Sequence, residues 1–164
     1  SQWITSAEAR YDGHELRADS QVVIVGAGTV RADDPTLTAR LRDGVVEPRR
    51  IVLGAIPDGA RVLPAESFSG DLGELLTRLG QDDVLQVLIE GGPRVIGPAL
   101  ADGLVDRVVW YAAPAFAGSE TARPALASLR TSTLEQLRRG RIVSVRLVGD
   151  DVRLEVEMTN AQHD

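Results

Sequence analysis

The residues most able to do chemistry follow an apolar segment near the middle of the chain. The run from Val84 to Ile89 is largely apolar and leads directly into Glu90, Gly91, Gly92 and Pro93. Ligands of open α/β sheets collect at the carboxyl ends of strands, where this carboxylate would lie. The glycines would let a ligand approach the backbone, and a helix after Pro93 would direct amides and its positive dipole end at an anion such as pyrophosphate. A tight turn with a solvated glutamate explains the same pattern equally well.

A second glycine-containing segment has the same strand-to-helix form. The β-branched run from Gln21 to Val25 is followed by GAGTVRADDP, in which Pro35 would end a short helix. The segment departs from the dinucleotide-binding fingerprint because Val30 and Arg31 stand where a third glycine is expected. Either a phosphate loop or a simple turn fits this pattern.

Three arginines are candidates for binding a phosphate group, because a guanidinium matches phosphate oxygens in pairs. They are Arg10, Arg17 and Arg40, and each would fit equally well as a solvated surface residue. Likewise, Trp3 has an ordinary packing role as its alternative. Spacing alone does not separate these interpretations.

Composition excludes several other chemistries. The chain has no cysteine, and its two histidines, His14 and His163, are far apart, so neither a thiol nucleophile nor a metal site is expected. A net charge of −6 argues against sequence-independent binding to nucleic acid. No apolar run is long enough for a membrane span and no signal peptide opens the chain, so a cytoplasmic protein is expected.

The 164 residues predict a single domain, 1–164. We predict a helix from a capping box at Thr5 to about Asp19, and further helices from Asp71 to Gly80 and from Arg94 to Ala101. Buried strands are predicted at Gln21–Val25, Arg50–Leu53, Val84–Ile89 and Val105–Ala112, loops at Ile56–Pro64 and Ser119–Ser132, and a closing hairpin, with one face in water, at Arg141–Val148 and Val152–Met158. Strands that alternate with helices before a hairpin indicate an α/β sheet that is antiparallel at one edge.

Three stretches in this order carry a family resemblance: SQWITSAEAR, LRADSQVVIVGAGTVRADDPTLTARL and VLIEGGPRVIGPALADGLVDRVVWYAAPAFAG. Together they resemble the C-terminal reductase domain of RibD-type enzymes of riboflavin biosynthesis. The resemblance implies a dihydrofolate-reductase-like fold, with a mostly parallel sheet flanked by helices and an antiparallel C-terminal hairpin. It also implies a homodimer that uses NADPH to reduce the ribosyl unit of a 5-amino-6-(5-phosphoribosylamino)pyrimidine to the ribityl form.

The resemblance further implies roles for individual residues. Substrate contacts are expected from Ser1, Arg17, Leu37, Arg40 and Glu90, with Arg17 and Arg40 at the phosphate. Cofactor contacts are expected from Trp3, Thr29, Asp33, Gly91, Gly92, Pro93, Arg94, Val95, Ile96, Gly97 and Pro98. Glu90 is the expected catalytic residue, which orients the sugar and relays a proton through a water molecule.

The sequence also departs from the family pattern. The strand that precedes the SQWIT motif in the family is absent from the sequence, whose start reads as the interior of a fold, so a fragment or a processed product is expected. The segment from Ile51 to Ser69 is short, as if a strand had been lost, and Gly54 and Ala55 replace a common Asp-Ser pair.

Two alternatives to the activity implied by the resemblance stay open. One is a related reductase acting on another substrate such as a pterin, against which Arg17 and Arg40 argue. The other is a non-catalytic nucleotide-binding relative.

Overall fold

The computed structural model describes residues 4–116, 125–127, 129 and 137–159. The predicted contacts of Ser1 and Trp3, and most of the predicted loop from Ser119 to Ser132, lie outside the described residues. The helices in the described part are α1 (Ala7–Ala18), α2 (Ala27–Asp33), α3 (Leu72–Gln81) and α4 (Pro93–Ala101). The strands there are β1 (Val22–Gly26), β2 (Ala39–Leu41), β3 (Gly44–Val46), β4 (Arg49–Leu53), β5 (Glu66–Phe68), β6 (Val87–Ile89), β7 (Arg107–Ala112), β8 (Gly140–Val148) and β9 (Asp151–Met158).

A four-stranded parallel sheet, in the order β5-β4-β1-β6, forms the centre of the fold. Alternate side chains of β1 enter two separate cores. Val22 and Ile24 pack against α3, whereas Val23 and Val25 pack against α2 and the segment that follows it. Because both faces of β1 are covered, the strand needs an uninterrupted apolar run, and the predicted buried strand is confirmed.

The strand order reverses beside β1. The chain passes from β1 to β4 and β5 on one side, and then returns through α3 to β6 on the other side. Ligands of open α/β sheets bind at the carboxyl ends of strands where the order reverses in this way. The fold therefore directs attention to the ends of β1 and β6, which are followed by the two glycine-containing loops.

A separate three-stranded antiparallel sheet, in the order β7-β9-β8, contains the predicted closing hairpin. The prediction that Val105–Ala112 is a buried strand is wrong in its burial: β7 is half-exposed and pairs with β9. The hairpin was expected to have one face in water, but β8 is exposed on both faces over most of its length. The reason is that β8 lies at an edge of this sheet and only one face of the sheet meets α1.

Helix α1 connects the two sheets. The predicted cap at Thr5 is shifted by one residue, because the Ser6 hydroxyl accepts the hydrogen bond from the Ala9 amide at 3.1 Å. The Ser6 amide in turn donates to buried Asp151 in the β8–β9 turn at 2.7 Å. The N-terminus of α1 is therefore fixed to the antiparallel sheet.

Buried Asp12 makes the second connection between α1 and the antiparallel sheet. Its carboxylate accepts hydrogen bonds from Arg153 Nε at 2.8 Å, from the Tyr111 hydroxyl and from Arg146 Nη2. Burial alone would raise the pKa of Asp12, but the Tyr111 and Arg146 hydrogen bonds and the two arginine charges outweigh it and lower that pKa. Asp12 and Arg153 are buried, whereas the side chain of Arg146 is 50% exposed. We call Asp12, Tyr111, Arg146 and Arg153 the buried cluster, after its two buried members.

Three short strands escaped the sequence analysis. The hairpin of β2 and β3, and the strand β5, have only three residues each, which is too short for an alternating pattern to be recognised. Strand β5 lies in the segment from Ile51 to Ser69, so this short segment still contributes a strand to the parallel sheet. None of the helices in the described part of the chain is long and apolar enough to span a membrane.

Candidate active site

The two glycine-containing loops lie side by side. Strands β1 and β6 are neighbours, and the Glu90 amide extends their pairing by donating to the Ile24 carbonyl at 2.8 Å. A Cβ added to Gly91 would lie 3.7 Å from the Gly26 amide nitrogen, and one added to Gly92 would lie 3.2 Å from Thr29 Oγ1. Side chains at these positions would fill the space between the loops. Because glycine has no side chain, the backbone of the loops stays accessible there.

Helix α4 begins at this surface. Gly92 is its N-cap and provides no side-chain hydrogen bond to the helix, and Pro93 occupies the first turn. The Gly92 carbonyl accepts from the Val95 and Ile96 amides at 2.9 and 3.3 Å. The Val95 and Ile96 amides are thus paired within the helix, no side chain caps its start, and anion binding at this turn stays a prediction.

The predicted cofactor residues in the described part of the chain fall into two groups: those at or near the glycine loop, and those further along α4. Those from Gly91 to Ile96 surround the loop, and Thr29 and Asp33 lie four residues apart on α2, which places them on one helix face. Gly97, by contrast, is buried, and a Cβ there would overlap the carbonyl of Ala127. Gly97 therefore has a packing role that does not depend on any cofactor, and Pro98 follows it within the helix.

Arg17 and Glu90 form a two-pronged ion pair beside the glycine-containing loops, and we call this region at the ends of β1 and β6 the crevice. Arg17 Nε donates to Glu90 Oε2 at 2.6 Å, and Arg17 Nη2 donates to Glu90 Oε1. The side chains are 17% and 38% exposed, so the pair lies at the edge of solvent and not in the core. The last turn of α1 and the end of β6 are thereby joined at the site.

The backbone carbonyl of Thr38 adds to this group. It accepts a hydrogen bond from Arg17 Nη1 at 3.1 Å and lies 3.1 Å from His14 Nδ1. The same Nδ1 lies 3.3 Å from Arg17 Nη1, which can only donate, so the neutral ring either donates from Nδ1 to the Thr38 carbonyl or accepts there from Arg17. We call His14, Arg17, Glu90 and the Thr38 carbonyl the crevice cluster.

Electrostatics keep the imidazole of His14 uncharged. Burial lowers its pKa, and the positive charges of Arg17 and Arg40 lower it further, whereas the Thr38 carbonyl and Glu90 act in the opposite direction. The net result is a pKa below the ordinary value for histidine. At neutral pH, His14 therefore contributes hydrogen-bonding groups but no charge.

The segment before β2 supplies two further predicted residues. Leu37 has a left-handed backbone with φ of 54°, and its side chain is 2% exposed within the core beside β1. A substrate contact from Leu37 would therefore have to come from its backbone. Arg40 is exposed, and its Nη2 donates to Thr36 Oγ1 at 3.2 Å, which leaves most of its guanidinium accessible.

The structure brings together Arg17 and Glu90, which are 73 residues apart in the sequence. Of the other predicted arginines, Arg10 is used at the start of α1, where it donates to the Thr5 carbonyl at 2.6 Å. Sequence reasoning missed His14, although a histidine three residues before Arg17 on one helix face was a usable signal. Among the described residues, no group of histidine and acidic side chains is placed to hold a metal ion.

Comparison with known proteins identifies the family to which this α/β fold belongs. The model of the RibD C-terminal domain matches residues 1–154, so the chain belongs to that family. The chain is 40% identical to the riboflavin biosynthesis protein RibD of Mycobacterium tuberculosis, over 94% of this chain and 47% of that protein. It is 30% identical to RibD of Escherichia coli, over 94% of this chain and 53% of that protein.

Solved structures agree with this assignment. A structure of Acinetobacter baumannii RibD superposes with a TM-score of 0.87 at 29% identity, over 98% of this chain and 52% of that one. The Saccharomyces cerevisiae riboflavin biosynthesis reductase Rib7 superposes with a TM-score of 0.69 at 18% identity, over 93% of this chain and 82% of that one, which shows a shared fold. The chain spans about half the length of the RibD relatives that it matches. The predictions of the family and of the fold class are confirmed.

Proposed function

We propose that this chain is an NADPH-dependent reductase that converts the ribosyl unit of a 5-amino-6-(5-phosphoribosylamino)pyrimidine to the ribityl form. One observation carries the proposal: the open glycine loop before α4 and the pair of Arg17 and Glu90 share one crevice at the ends of β1 and β6. A reductase needs a cofactor surface and a substrate surface in contact, and this arrangement supplies both. Membership of the RibD C-terminal family supports the same activity.

The residues around the glycine loop fit a pyrophosphate-containing cofactor. Gly91 and Gly92 keep side-chain atoms away from the loop surface, and α4 begins there without a side-chain cap. Thr29 lies next to Gly92 and would border the bound cofactor. When bound, NADPH supplies the hydride that reduces C1′ of the ribosyl unit. The protein contributes orientation and charge.

The opposite wall of the crevice fits a phosphorylated sugar. Arg17 holds both oxygens of Glu90, so the carboxylate is presented in a fixed orientation with its remaining lone pairs available to ribose hydroxyls. Arg40 has an accessible guanidinium, so we assign it the main contact with the substrate phosphate, and Arg17 a supporting charge. A proton relay through Glu90 stays a prediction.

Turnover tests this proposal directly. We expect NADPH absorbance to fall when the purified protein is mixed with the deaminated phosphoribosylaminopyrimidine, and the ribityl product to be found by mass spectrometry. Reduction of dihydrofolate in place of the aminopyrimidine would favour the related reductase. NADPH binding without turnover of either compound would favour a non-catalytic nucleotide-binding protein. A cytoplasmic location is part of the proposal because the reaction draws on NADPH.

We further propose that the chain acts as a homodimer joined through the antiparallel sheet. The face of this sheet opposite α1 carries Trp110, Val145, Leu147 and Val152, and Val145 and Leu147 are 61% and 74% exposed. Among the described strands, β8 pairs with β9 alone, so its outer edge has unpaired backbone groups. Exposed apolar faces and strand edges are usually covered, and a second copy of the same edge is self-complementary in an antiparallel arrangement.

Sedimentation velocity at micromolar concentration tests the dimer. We expect a species of twice 17.6 kDa, and a shift toward 17.6 kDa in the Leu147→Glu variant. Leu85→Glu is the matched control, because Leu85 is also exposed but precedes β6 in the parallel sheet. A wild-type protein that sediments only at 17.6 kDa would exclude the dimer.

A further inference from the structure

His14 lies within the crevice cluster but has no role in the function proposed above. Its Nδ1 is 3.1 Å from the Thr38 carbonyl and 3.3 Å from Arg17 Nη1. Thr38 belongs to the same segment as Arg40, the arginine assigned to the substrate phosphate, and Arg40 is near enough to act electrostatically on the imidazole. His14 is therefore a titratable group at the side of the crevice where a phosphate would bind.

We propose that His14 is a third cationic residue of the substrate phosphate site, which takes up a proton when a phosphate group binds. This inference rests on the proposed function, because it needs a phosphate beside Arg40. It adds a residue to which the resemblance assigned no role, and it makes phosphate binding dependent on pH.

The hydrogen-bonding pattern of the imidazole is defined only when the ring is charged. In the neutral ring, Nδ1 faces both the Thr38 carbonyl, which can only accept, and Arg17 Nη1, which can only donate, and it can serve one of them at a time. In the protonated ring both nitrogens donate, Nδ1 to the Thr38 carbonyl and Nε2 to an incoming anion. The segment that carries Arg40 thus stays attached to α1 when His14 is charged.

Burial and the surrounding charges together explain why the proton is absent until an anion arrives. Arg17 on α1 and Arg40 on β2 oppose a positive charge on His14, while Glu90 after β6 and the Thr38 carbonyl favour one. Arg17 also binds Glu90 through two atoms, which offsets much of the help that Glu90 could give. A phosphate dianion next to Arg40 reverses this balance, because it neutralises the arginines and attracts a cation directly.

A definite pH dependence follows from this linkage. If bound phosphate raises the pKa of His14, the bound state holds an extra proton at any pH between the free and bound pKa values. Affinity then increases as the pH falls through that interval, and it reaches a plateau below the free-state pKa. Each unit of pKa increase corresponds to about tenfold tighter binding on that plateau.

Proton NMR of the histidine rings tests the proposal, since the sequence has only His14 and His163. The His14→Gln variant assigns the two signals. Titrations are recorded with ribose 5-phosphate, with ribose and without ligand, and His163 serves as the internal reference. We expect ribose 5-phosphate to raise the pKa of His14 by about one unit, ribose to have no effect, and the reference signal to stay unchanged. Equal pKa values with and without ribose 5-phosphate at saturation would overturn the proposal.

Two further measurements separate this proposal from the proposed function. Arg40→Ala should abolish the ligand-induced shift while the His14 signal remains visible. As the pH falls below neutral, the KM for the aminopyrimidine substrate should decrease in the wild type, and this decrease should be lost in His14→Gln. Titration of the phosphate itself affects both proteins equally, so it cancels in the comparison. Normal turnover with no shift at His14 overturns the inference alone. A shift at His14 without any turnover leaves the phosphate site supported and the reductase activity contradicted.

Discussion

Helix α1 takes part in two charged clusters that have similar chemistry but different surroundings. The buried cluster places Asp12 under the antiparallel sheet with three donors around its carboxylate. The crevice cluster places Arg17 against Glu90 at the edge of solvent. Removing one partner of a buried pair leaves an unpaired charge out of water, whereas an exposed pair loses little when it is broken. The buried cluster is therefore expected to determine stability, and the crevice cluster to determine binding and rate.

The largest expected effect comes from Asp12→Asn. This change removes the charge that Arg153 and Arg146 share, and we expect the free energy of unfolding to fall by about 3 kcal/mol. This loss is at the lower end of the range for breaking a buried ion pair, because Arg153 retains its ion pair with Glu155, in which the nitrogen and oxygen are 2.8 Å apart. Urea denaturation measures it. If the variant stays as stable as wild type, the contrast between the two clusters is lost.

Glu66→Gln is the matched control for that prediction. Glu66 also pairs with two arginines, Arg49 at 2.8 Å and Arg78 at 2.5 Å, but its side chain is 35% exposed. We expect this change to cost less than about 1 kcal/mol. Both carboxyls have a folded-state pKa below the ordinary value, so both contributions are present above the unfolded-state pKa and disappear as the pH falls through the folded-state pKa. Asp12→Asn should therefore flatten the acid limb of the stability curve below about pH 4.

The second effect concerns the rate and involves Glu90→Gln. Glutamine keeps the size of the side chain but removes the charge that Arg17 holds, so the orientation of the sugar contact is lost. We expect kcat to fall about a hundredfold, with the melting temperature nearly unchanged because the pair is near solvent. Arg17→Gln should cause a similar loss, and the double variant should lose less than the product of the two. Near-normal kcat in Glu90→Gln would make Glu90 a structural residue.

The two clusters also show what sequence patterns can and cannot predict. Glu90 was predictable because it follows a strand and precedes two glycines, and both signals are local. The partners of Asp12 were not predictable, since Tyr111, Arg146 and Arg153 come from three strands whose register sets the contact. The pairing of Arg17 with Glu90 has the same origin: each residue was recognised separately, but only the fold brings them together.

Burial was harder to predict than the position of a strand. The apolar run of β1 correctly indicated a strand covered on both faces, and the similar run of β7 did not. Sequence alone does not reveal whether helices cover a strand. The case of Leu37 is related, because a residue assigned to substrate binding has its side chain in the core and a backbone with a positive φ, and no sequence pattern indicated either feature.

The third effect lies on the cofactor side of the crevice, two residues beyond Glu90 of the crevice cluster. In Gly92→Val, the new side chain would meet Thr29 Oγ1, since a Cβ alone comes within 3.2 Å of it. We expect the KM for NADPH to rise more than tenfold, and the KM for the aminopyrimidine substrate to change much less, because the helix start at the loop is displaced. Steady-state kinetics with each compound varied in turn measure the two values. An unchanged NADPH KM in a folded variant would remove this loop from the cofactor site.

The smallest expected effect is that of Arg40→Ala. This variant tests whether Arg40, which lies outside the crevice cluster, binds the substrate together with it. Arg40 is exposed and donates only to Thr36 Oγ1 among the contacts described for it, so its loss should leave the melting temperature within about 1°C of wild type. A charge-assisted bond to phosphate contributes roughly 1.5–3 kcal/mol, so substrate binding should weaken about tenfold or more while NADPH affinity stays near wild type. Arg42→Ala is the control, because Arg42 follows the same strand but lies over the Tyr11 ring at 5.5 Å. Weaker NADPH binding in Arg40→Ala would instead assign Arg40 to the nucleotide site, and the substrate phosphate would then have to depend on Arg17, at the expense of its pair with Glu90.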